Sequence, residues 1–221
     1  MKAMVMAAGR GERMRPLTDN VPKPLLKVGD KTLIEHILLR LKRAGFDEVV
    51  INYAHLGEQL VKFLGDGSLY GLKIQYSPEP EGALETGGGI RQAIELLDHK
   101  PFLVINGDIW TDYPLHNLPT QLSGLAHLVL VDNPSHNNKG DFYLDGVKVN
   151  QDQGKKLTFS GIGVYSPEMF SQLQPGKYPL APILRDAIAN NHVSGEYYAG
   201  KWIDVGTPER LNALKATLSN A

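Results

Sequence analysis

The chain has 221 residues, 42% of them hydrophobic and 21% charged, which is a composition typical of a globular protein with a full apolar core. Its formal net charge of −1 excludes the basic excess of a nucleic-acid-binding surface, so any anion site must be local. Cysteine is absent, which excludes disulfides and thiolate metal sites. No apolar run approaches the roughly 20 residues that span a bilayer, and we expect a cytoplasmic protein without membrane or nucleic-acid partners.

The first half of the chain alternates apolar strands with amphipathic helices. Residues 3–8 form a short apolar run typical of a buried strand. Thr32 and Glu35 have the spacing of a capping box and predict a helix that ends at Gly45. Further strands are predicted at 48–53, 72–77 and 102–107, and further helices at 58–64 and 88–97. This order indicates a Rossmann-like, doubly wound sheet that is mostly parallel.

The second half is richer in strands. Strands are predicted at 127–133, 141–149 and 157–166 without helices between them, and Asp145-Gly146 is a hairpin-type turn within the second. Two helical segments follow at about 167–173 and 179–190, then two strands, and then a last helix that Thr207 caps. We therefore predict one α/β domain with a mixed sheet and a β-rich second half.

Three loops that follow predicted strands carry the candidate functional residues, because ligands of open α/β sheets bind at the carboxyl ends of the strands. The first loop, GRGERM, resembles the dinucleotide fingerprint G-x-G-x-x-G, but Met14 replaces the third glycine and prolines follow, which argues against an NAD site. A Walker motif is also absent. The loop is then either a tight turn, or a phosphate site in which Gly9 and Gly11 expose N–H groups and Arg13 makes a forked contact.

Lys23 and two aspartates extend this hypothesis. Lys23 lies between two prolines that restrict the backbone, so it is either a lysine held toward a fixed anion or an ordinary surface charge. Asp108 and Asp204 each follow an apolar strand and are either turn residues or carboxylates that share Mg²⁺, which needs only one or two carboxylates beside substrate phosphates. The segment LETGGG at 84–89 either holds a base or ribose through its backbone or forms a flexible lid.

Taken in order, A-A-G-R-G-E-R-M, V-P-K-P-L, L-E-T-G-G-G, N-G-D and W-I-D-V-G-T-P resemble the sugar-1-phosphate nucleotidyltransferase family. The resemblance runs from the first strand to the last helix and implies a GT-A-like fold over 1–221, with a nucleotide-binding part at about 1–110 and a sugar-binding part at about 111–221. The variants N-G-D-I-W-T-D and L-E-T-G-G-G-I are most similar to uridylyltransferases of cell-wall recycling, which use UTP.

The resemblance also implies partners, a cofactor and site residues. The partners are a nucleoside triphosphate and a sugar 1-phosphate, and the cofactor is Mg²⁺. The implied nucleotide contacts are Ala8, Gly9, Gly11, Glu12, Arg13, Lys23, Gly87 and Gly88, with Arg13 and Lys23 catalytic. The implied metal ligands are Asp108 and Asp204, and the implied sugar neighbours are Asn106, Gly140 and Gly161.

The chain departs from the family pattern at two places. Glu12 stands where a small hydroxyl residue is usual, and the E-K-P sugar-phosphate motif of thymidylyltransferase relatives is missing before LTFSGIG. Lys148, Lys155 and Lys156 are candidate replacements for that lysine. Mannose-1-phosphate guanylyltransferase, glucose-1-phosphate thymidylyl- or uridylyltransferase, and a silent module that senses sugar nucleotides are the alternatives.

Overall fold

A computed structural model describes residues 1–80 and 82–219. The strands are β1 (Ala3–Met6), β2 (Lys27–Val28), β3 (Lys31–Thr32), β4 (Glu48–Tyr53), β5 (Lys73–Pro78), β6 (Phe102–Asn106), β7 (Ile109–Thr111), β8 (Ala126–Val131), β9 (Phe142–Asp145), β10 (Lys148–Asn150), β11 (Lys155–Tyr165), β12 (Val193–Tyr198) and β13 (Trp202–Asp204). The α-helices are α1 (Leu33–Arg43), α2 (Gly57–Leu64), α3 (Glu85–Ala93), α4 (Leu180–Ala189) and α5 (Pro208–Ser219). Within the described ranges, no helix has both the length and the apolar character needed to cross a membrane.

The central sheet has the strand order β5-β4-β1-β6-β11-β8-β12-β10-β9. Its first four strands run parallel to one another. β11 then runs antiparallel to both β6 and β8, while β12 returns parallel to β8. The predicted Rossmann-like mixed sheet with a β-rich second half is confirmed.

Helices cover both faces of this sheet, and β4 shows why the centre of a buried strand is apolar. Val49 and Ile51 belong to a core cluster with α1 and α2, whereas Val50 belongs to the cluster with α3 and α4. Successive strand residues point to opposite faces, so a run buried on both faces must be continuously apolar. The polar loops at the carboxyl ends of β1, β4 and β6 are left open to a ligand.

A third, smaller core lies beneath the loop after β1. It packs Met14 from that loop against Val28, Leu33, Val205 and Leu211. The short β2–β3 hairpin, which contributes to this core, is missing from the sequence prediction because strands of two residues are too short to show a periodicity. The loop after β1 is therefore packed against residues from both ends of the chain.

Two other elements differ from the sequence prediction. The segment predicted to be helical at 167–173 contains only a 3₁₀ turn at Pro167–Phe170. α3 begins at Glu85, three residues earlier than predicted, and so takes in a run of glycines that disfavours a helix locally. The reason is close packing: a Cβ at Gly87 would lie 2.7 Å from the Ile183 Cδ1 atom.

Gly88 gives a test of this packing. An added methyl group would overlap the carbonyl oxygen of Gly176, so we expect Gly88→Ala to lower the free energy of unfolding by about 1–3 kcal/mol. That loss exceeds the gain of about 1 kcal/mol from replacing a helical glycine. Urea unfolding measures it. Gly9→Ala is the control, because a Cβ there meets no atom within 4 Å, and equal stabilities of the two variants would contradict the argument.

Candidate active site

The loop after β1 folds back on itself and brings Lys23 beside Gly11. Gly11 has a left-handed φ of +67°, and an added Cβ would lie 3.2 Å from the Lys23 Cβ. The Thr18 hydroxyl donates to the Gly11 carbonyl at 2.8 Å and closes the loop. Met14, which breaks the dinucleotide fingerprint, is fully buried and anchors the loop from below. Glycine is thus required at position 11 by both conformation and close approach.

Lys23 forms an ion pair with Asp108 across the mouth of the sheet. Its Nζ atom donates to Asp108 Oδ2 at 2.6 Å, although the two residues are 85 positions apart. The side chain of Lys23 is 12% exposed and that of Asp108 is 32% exposed. Because the pair is only partly solvated, its charges are less screened than those of a surface pair.

Asp204 lies on the strand that ends beside Asp108. β13 pairs antiparallel with β7, which places Asp204 opposite Ile109. The Val205 N–H donates to the Asp108 carbonyl oxygen at 2.7 Å. The two aspartates predicted to bind a metal are therefore brought together, on neighbouring strand ends that are distant in sequence.

Asp204 is held by two basic side chains. Arg210 Nη1 donates to both carboxylate oxygens, at 2.7 and 2.6 Å, and His136 Nε2 lies 3.0 Å from Oδ1. No group of three or more His, Cys, Asp or Glu side chains in the described part of the chain is arranged to hold a metal ion. Asp108 and Asp204 nevertheless fit Mg²⁺, because its usual donors are one or two carboxylates completed by substrate phosphates.

A central cavity of about 570 Å³ opens at this edge of the sheet. The residues predicted for the phosphate loop, Ala8, Gly9, Gly11, Glu12, Arg13 and Lys23, all line it. Asn106 and Asp108 line it as well, whereas Asp204 lies just outside and Gly206 lines the cavity in its place. A Cβ added at Gly206 would collide with the guanidinium group of Arg210 and would lie 3.3 Å from Arg13 Nη2.

A side cavity of about 430 Å³ continues from the central one. The two share Glu85, Thr86 and Asn106 as lining residues. Asn106 reaches this junction because β11 has an irregular register between Phe159 and Ile162, where Gly161 adopts a φ of +80°. A Cβ at Gly161 would lie 2.7 Å from Asn106 Nδ2. The candidate site thus consists of two adjoining cavities, of which the central one is lined by Arg13 and Lys23.

A family model described as nucleotidyl transferase matches residues 2–142, more than half of the chain. The chain belongs to the nucleotidyl transferase family. It is 54% identical over 98% of its length to the N-acetylmuramate alpha-1-phosphate uridylyltransferase of Neisseria meningitidis serogroup B, covering 97% of that protein. The protein of the same name from Caulobacter vibrioides is 33% identical over 99% of this chain, with 97% of that protein covered.

Solved structures agree on the fold. A Bacillus anthracis protein described as a glucose-1-phosphate thymidylyltransferase aligns with a TM-score of 0.87 at 22% identity, over 100% of this chain and 96% of the other. HddC from Yersinia pseudotuberculosis aligns with a TM-score of 0.82 at 19% identity, over 98% of this chain and 99% of the other. At such identities these likenesses show the nucleotidyl transferase fold alone.

Some residues predicted for the site of this nucleotidyl transferase lie beside the cavities rather than in them. Gly87 and Gly88 line neither cavity: they face the segment 176–183, and the Gly88 N–H donates to the Tyr178 carbonyl oxygen. Residues 85 and 86, just before them, line both cavities instead.

Gly140 packs against Asn133 and is followed by Asp141, which lines the side cavity. Contacts of these glycines with a nucleotide or sugar stay predictions.

The three lysines considered as replacements for the missing E-K-P lysine line neither cavity. Lys155 Nζ bonds to Asp132 Oδ1 at 2.7 Å, and Lys156 Nζ lies over the ring of Tyr143. Lys148 is exposed on β10, toward the far edge of the sheet. The side cavity is instead lined by the cationic side chain of Arg185, a residue that no sequence motif indicated.

Sequence reasoning also missed a buried polar pair, Asn52 and Glu79, in the wall of the central cavity. Asn52, 1% exposed, accepts from the Ala7 N–H at 2.7 Å and donates to Glu79 Oε1 at 2.6 Å. Glu79 Oε2 accepts from the Leu84 N–H at 2.7 Å. The pair therefore ties the loop after β1 to the start of α3. Asn52 ends the apolar run EVVIN, the same signal that pointed to Asp108, whereas Glu79 carries no such signal.

Proposed function

We propose that the chain transfers a uridylyl group from UTP to N-acetylmuramate α-1-phosphate, giving UDP-N-acetylmuramate and pyrophosphate in peptidoglycan recycling. The observation that carries the reaction class is the convergence of the glycine loop, Lys23 and Asp108 in one cavity. The relatives in Neisseria and Caulobacter, aligned over nearly their whole lengths, support the choice of nucleotide and sugar.

The nucleophile is a phosphate oxygen of the sugar 1-phosphate. A phosphate monoester has its second pKa near 6, so the attacking oxygen is already ionised at pH 7 and the protein does not need a general base. The oxygen bonds to the α-phosphorus of UTP, and the bond from that phosphorus to the bridging oxygen breaks in line, so that pyrophosphate leaves with the electron pair. The main obstacle is repulsion between the two anionic reactants.

Lys23 and Arg13 oppose that repulsion. Lys23 is held at the cavity wall by Asp108, at 2.6 Å, and by two flanking prolines, so little reorganisation is needed when a phosphate arrives. Arg13 presents a planar fork that suits phosphate oxygens, and the glycine loop adds backbone N–H donors. These groups contribute most where negative charge builds up in the transition state.

Mg²⁺ is part of this proposal. Asp108 and Asp204 would hold it together with phosphate oxygens of the nucleotide, and when bound it would neutralise phosphate charge and orient the reacting group. Support comes from the position of the two carboxylates, since Asp108 lies directly before β7 and Asp204 at the end of β13, which pairs with β7. Each carboxylate is held by a basic partner, Asp108 by Lys23 and Asp204 by Arg210.

A substrate panel tests the proposal. We expect UTP with N-acetylmuramate α-1-phosphate to give the highest kcat/KM for pyrophosphate release, compared with GTP or dTTP and with glucose, mannose or N-acetylglucosamine 1-phosphate. EDTA should abolish turnover and excess Mg²⁺ restore it. Mass spectrometry identifies the sugar nucleotide. A preference for mannose 1-phosphate with GTP, or for glucose 1-phosphate with dTTP, would replace the assigned substrates, and absence of pyrophosphate with every pair would favour a sensing module.

A further inference from the structure

The side cavity combines apolar walls with one guanidinium group. Phe142 and Leu184 in its wall are 5% and 1% exposed, and Phe159 and Leu180 continue the apolar surface. Arg185, on α4, lines the same cavity. Side chains of this kind are suited to methyl groups next to a single anionic group.

Two carboxylates line this cavity, and both already have partners within the chain. Glu85 Oε1 lies 3.9 Å from Lys177 Nζ. Asp141 Oδ1 accepts from Asn137 Nδ2 at 3.0 Å, and Oδ2 accepts from the Phe159 N–H at 2.8 Å. Within 1–80 and 82–219, no hydrogen bond or ion pair joins the Arg185 guanidinium to another group, and the side chain of Gln151 donates to the Arg185 carbonyl oxygen instead. The guanidinium is therefore available to a ligand.

The two cavities are lined by different cationic side chains, which would contact different parts of a bound substrate. Arg13 and Lys23 line the central cavity only, and Arg185 lines the side cavity only. Asn106, Thr86 and Glu85 form the boundary that both cavities share. A sugar 1-phosphate with its phosphate near Lys23 would extend its ring past Asn106, so Arg185 faces substituents of the sugar rather than the reacting phosphate.

We propose that Arg185 binds the carboxylate of the lactyl ether of N-acetylmuramate and thereby selects this sugar phosphate over neutral ones. The inference rests on the proposed function. Guanidinium and carboxylate form paired, charge-assisted hydrogen bonds, which are stronger than hydrogen bonds between neutral groups. The lactyl and acetamido methyl groups meet Phe142, Phe159 and Leu184. A neutral sugar leaves the guanidinium without a partner, and that difference in affinity is the source of specificity.

The test compares two substrates that differ only in the lactyl ether. We measure kcat/KM with UTP for N-acetylmuramate α-1-phosphate and for N-acetylglucosamine α-1-phosphate, in the wild type and in Arg185→Gln. The variant should lower the muramate-to-glucosamine ratio of kcat/KM by about tenfold or more, chiefly through KM, as expected for the loss of a charged hydrogen-bonded pair. Arg185→Lys should restore part of the ratio because it keeps the charge without the fork.

Controls separate this effect from a general loss of charge or of folding. Arg43→Gln removes an equal charge from the exposed end of α1, which lines neither cavity, and should leave the ratio at the wild-type value. Calorimetric titration with UDP-N-acetylmuramate and UDP-N-acetylglucosamine gives a readout that needs no turnover. Only the affinity for the muramate compound should depend strongly on Arg185.

The outcomes that overturn the inference are distinct from those that overturn the function. An equal fall for both sugars would assign Arg185 to the phosphate or to the fold, and an unchanged ratio would remove it from recognition. In either case the wild type would still make UDP-N-acetylmuramate, so the proposed function would stand. A wild type that favours the glucosamine substrate, or uses neither, overturns both.

Discussion

Replacing Lys23 with alanine should lower kcat by at least about a hundredfold while the fold persists, an effect of the size seen when one preorganised charge or donor is removed from a transition state. Its ammonium lies 2.6 Å from Asp108, at the wall of the cavity that holds the glycine loop. No other side chain on the short 3₁₀ turn Lys23–Leu25 carries a positive charge that could replace it. Steady-state pyrophosphate release measures the change.

Lys27→Ala is the matched control for that variant. Lys27 lies on β2, four residues further along the chain, is exposed and lines neither cavity. Its removal should leave kcat within about twofold, because an exposed charge at a distance is screened by solvent. Circular dichroism and thermal unfolding establish that both variants are folded. Near-normal turnover by Lys23→Ala would exclude this lysine from the reaction.

Asp108→Asn should also lower kcat by about a hundredfold or more, because a neutral amide is a much weaker ligand for Mg²⁺ and no longer pairs with Lys23. Asp204→Asn separates these two effects. It removes a proposed metal ligand and leaves the Lys23–Asp108 pair in place, since the partners of Asp204 are Arg210 and His136. We expect the Mg²⁺ concentration for half-maximal activity to rise in both variants.

A binding measurement complements the kinetics of the aspartate variants. Calorimetric titration of Mg²⁺ into protein saturated with UTP should show weaker binding in Asp108→Asn and Asp204→Asn than in the wild type. Asp145→Asn, at an exposed turn of the β9–β10 hairpin, is the control with the same chemical change. If Asp204→Asn binds Mg²⁺ and turns over normally, Asp204 is not a metal ligand and the shared metal site is wrong.

The local pattern of apolar and polar residues was sufficient to predict the layered α/β fold. The run EVVINY at 48–53 has an apolar centre, Val49–Ile51, and β4 occupies the same range with these three residues buried on both faces of the sheet. The capping box of Thr32 and Glu35 is formed as predicted. These features depend on neighbours within a few residues, so they can be recognised without knowing the rest of the fold.

The glycines of α3 show where local reasoning fails. Their low helix propensity predicts a start at residue 88, but the structure continues the helix back to Glu85. A larger side chain at Gly87 or Gly88 would collide with the segment 176–183, which is far away in the sequence. Tertiary packing outweighs a propensity difference of about 1 kcal/mol per residue.

By itself the sequence determined the alternation of strands and helices, the glycine loop, and a lysine constrained by prolines, because each is a short-range pattern. Only the tertiary structure decided that Lys23 pairs with Asp108, that Arg210 and His136 hold Asp204, and that Arg185 enters the side cavity. Such pairings follow from how distant strands pair, β11 with β6 and β13 with β7. That placement results from burying apolar faces over the whole chain, which no local window of sequence contains.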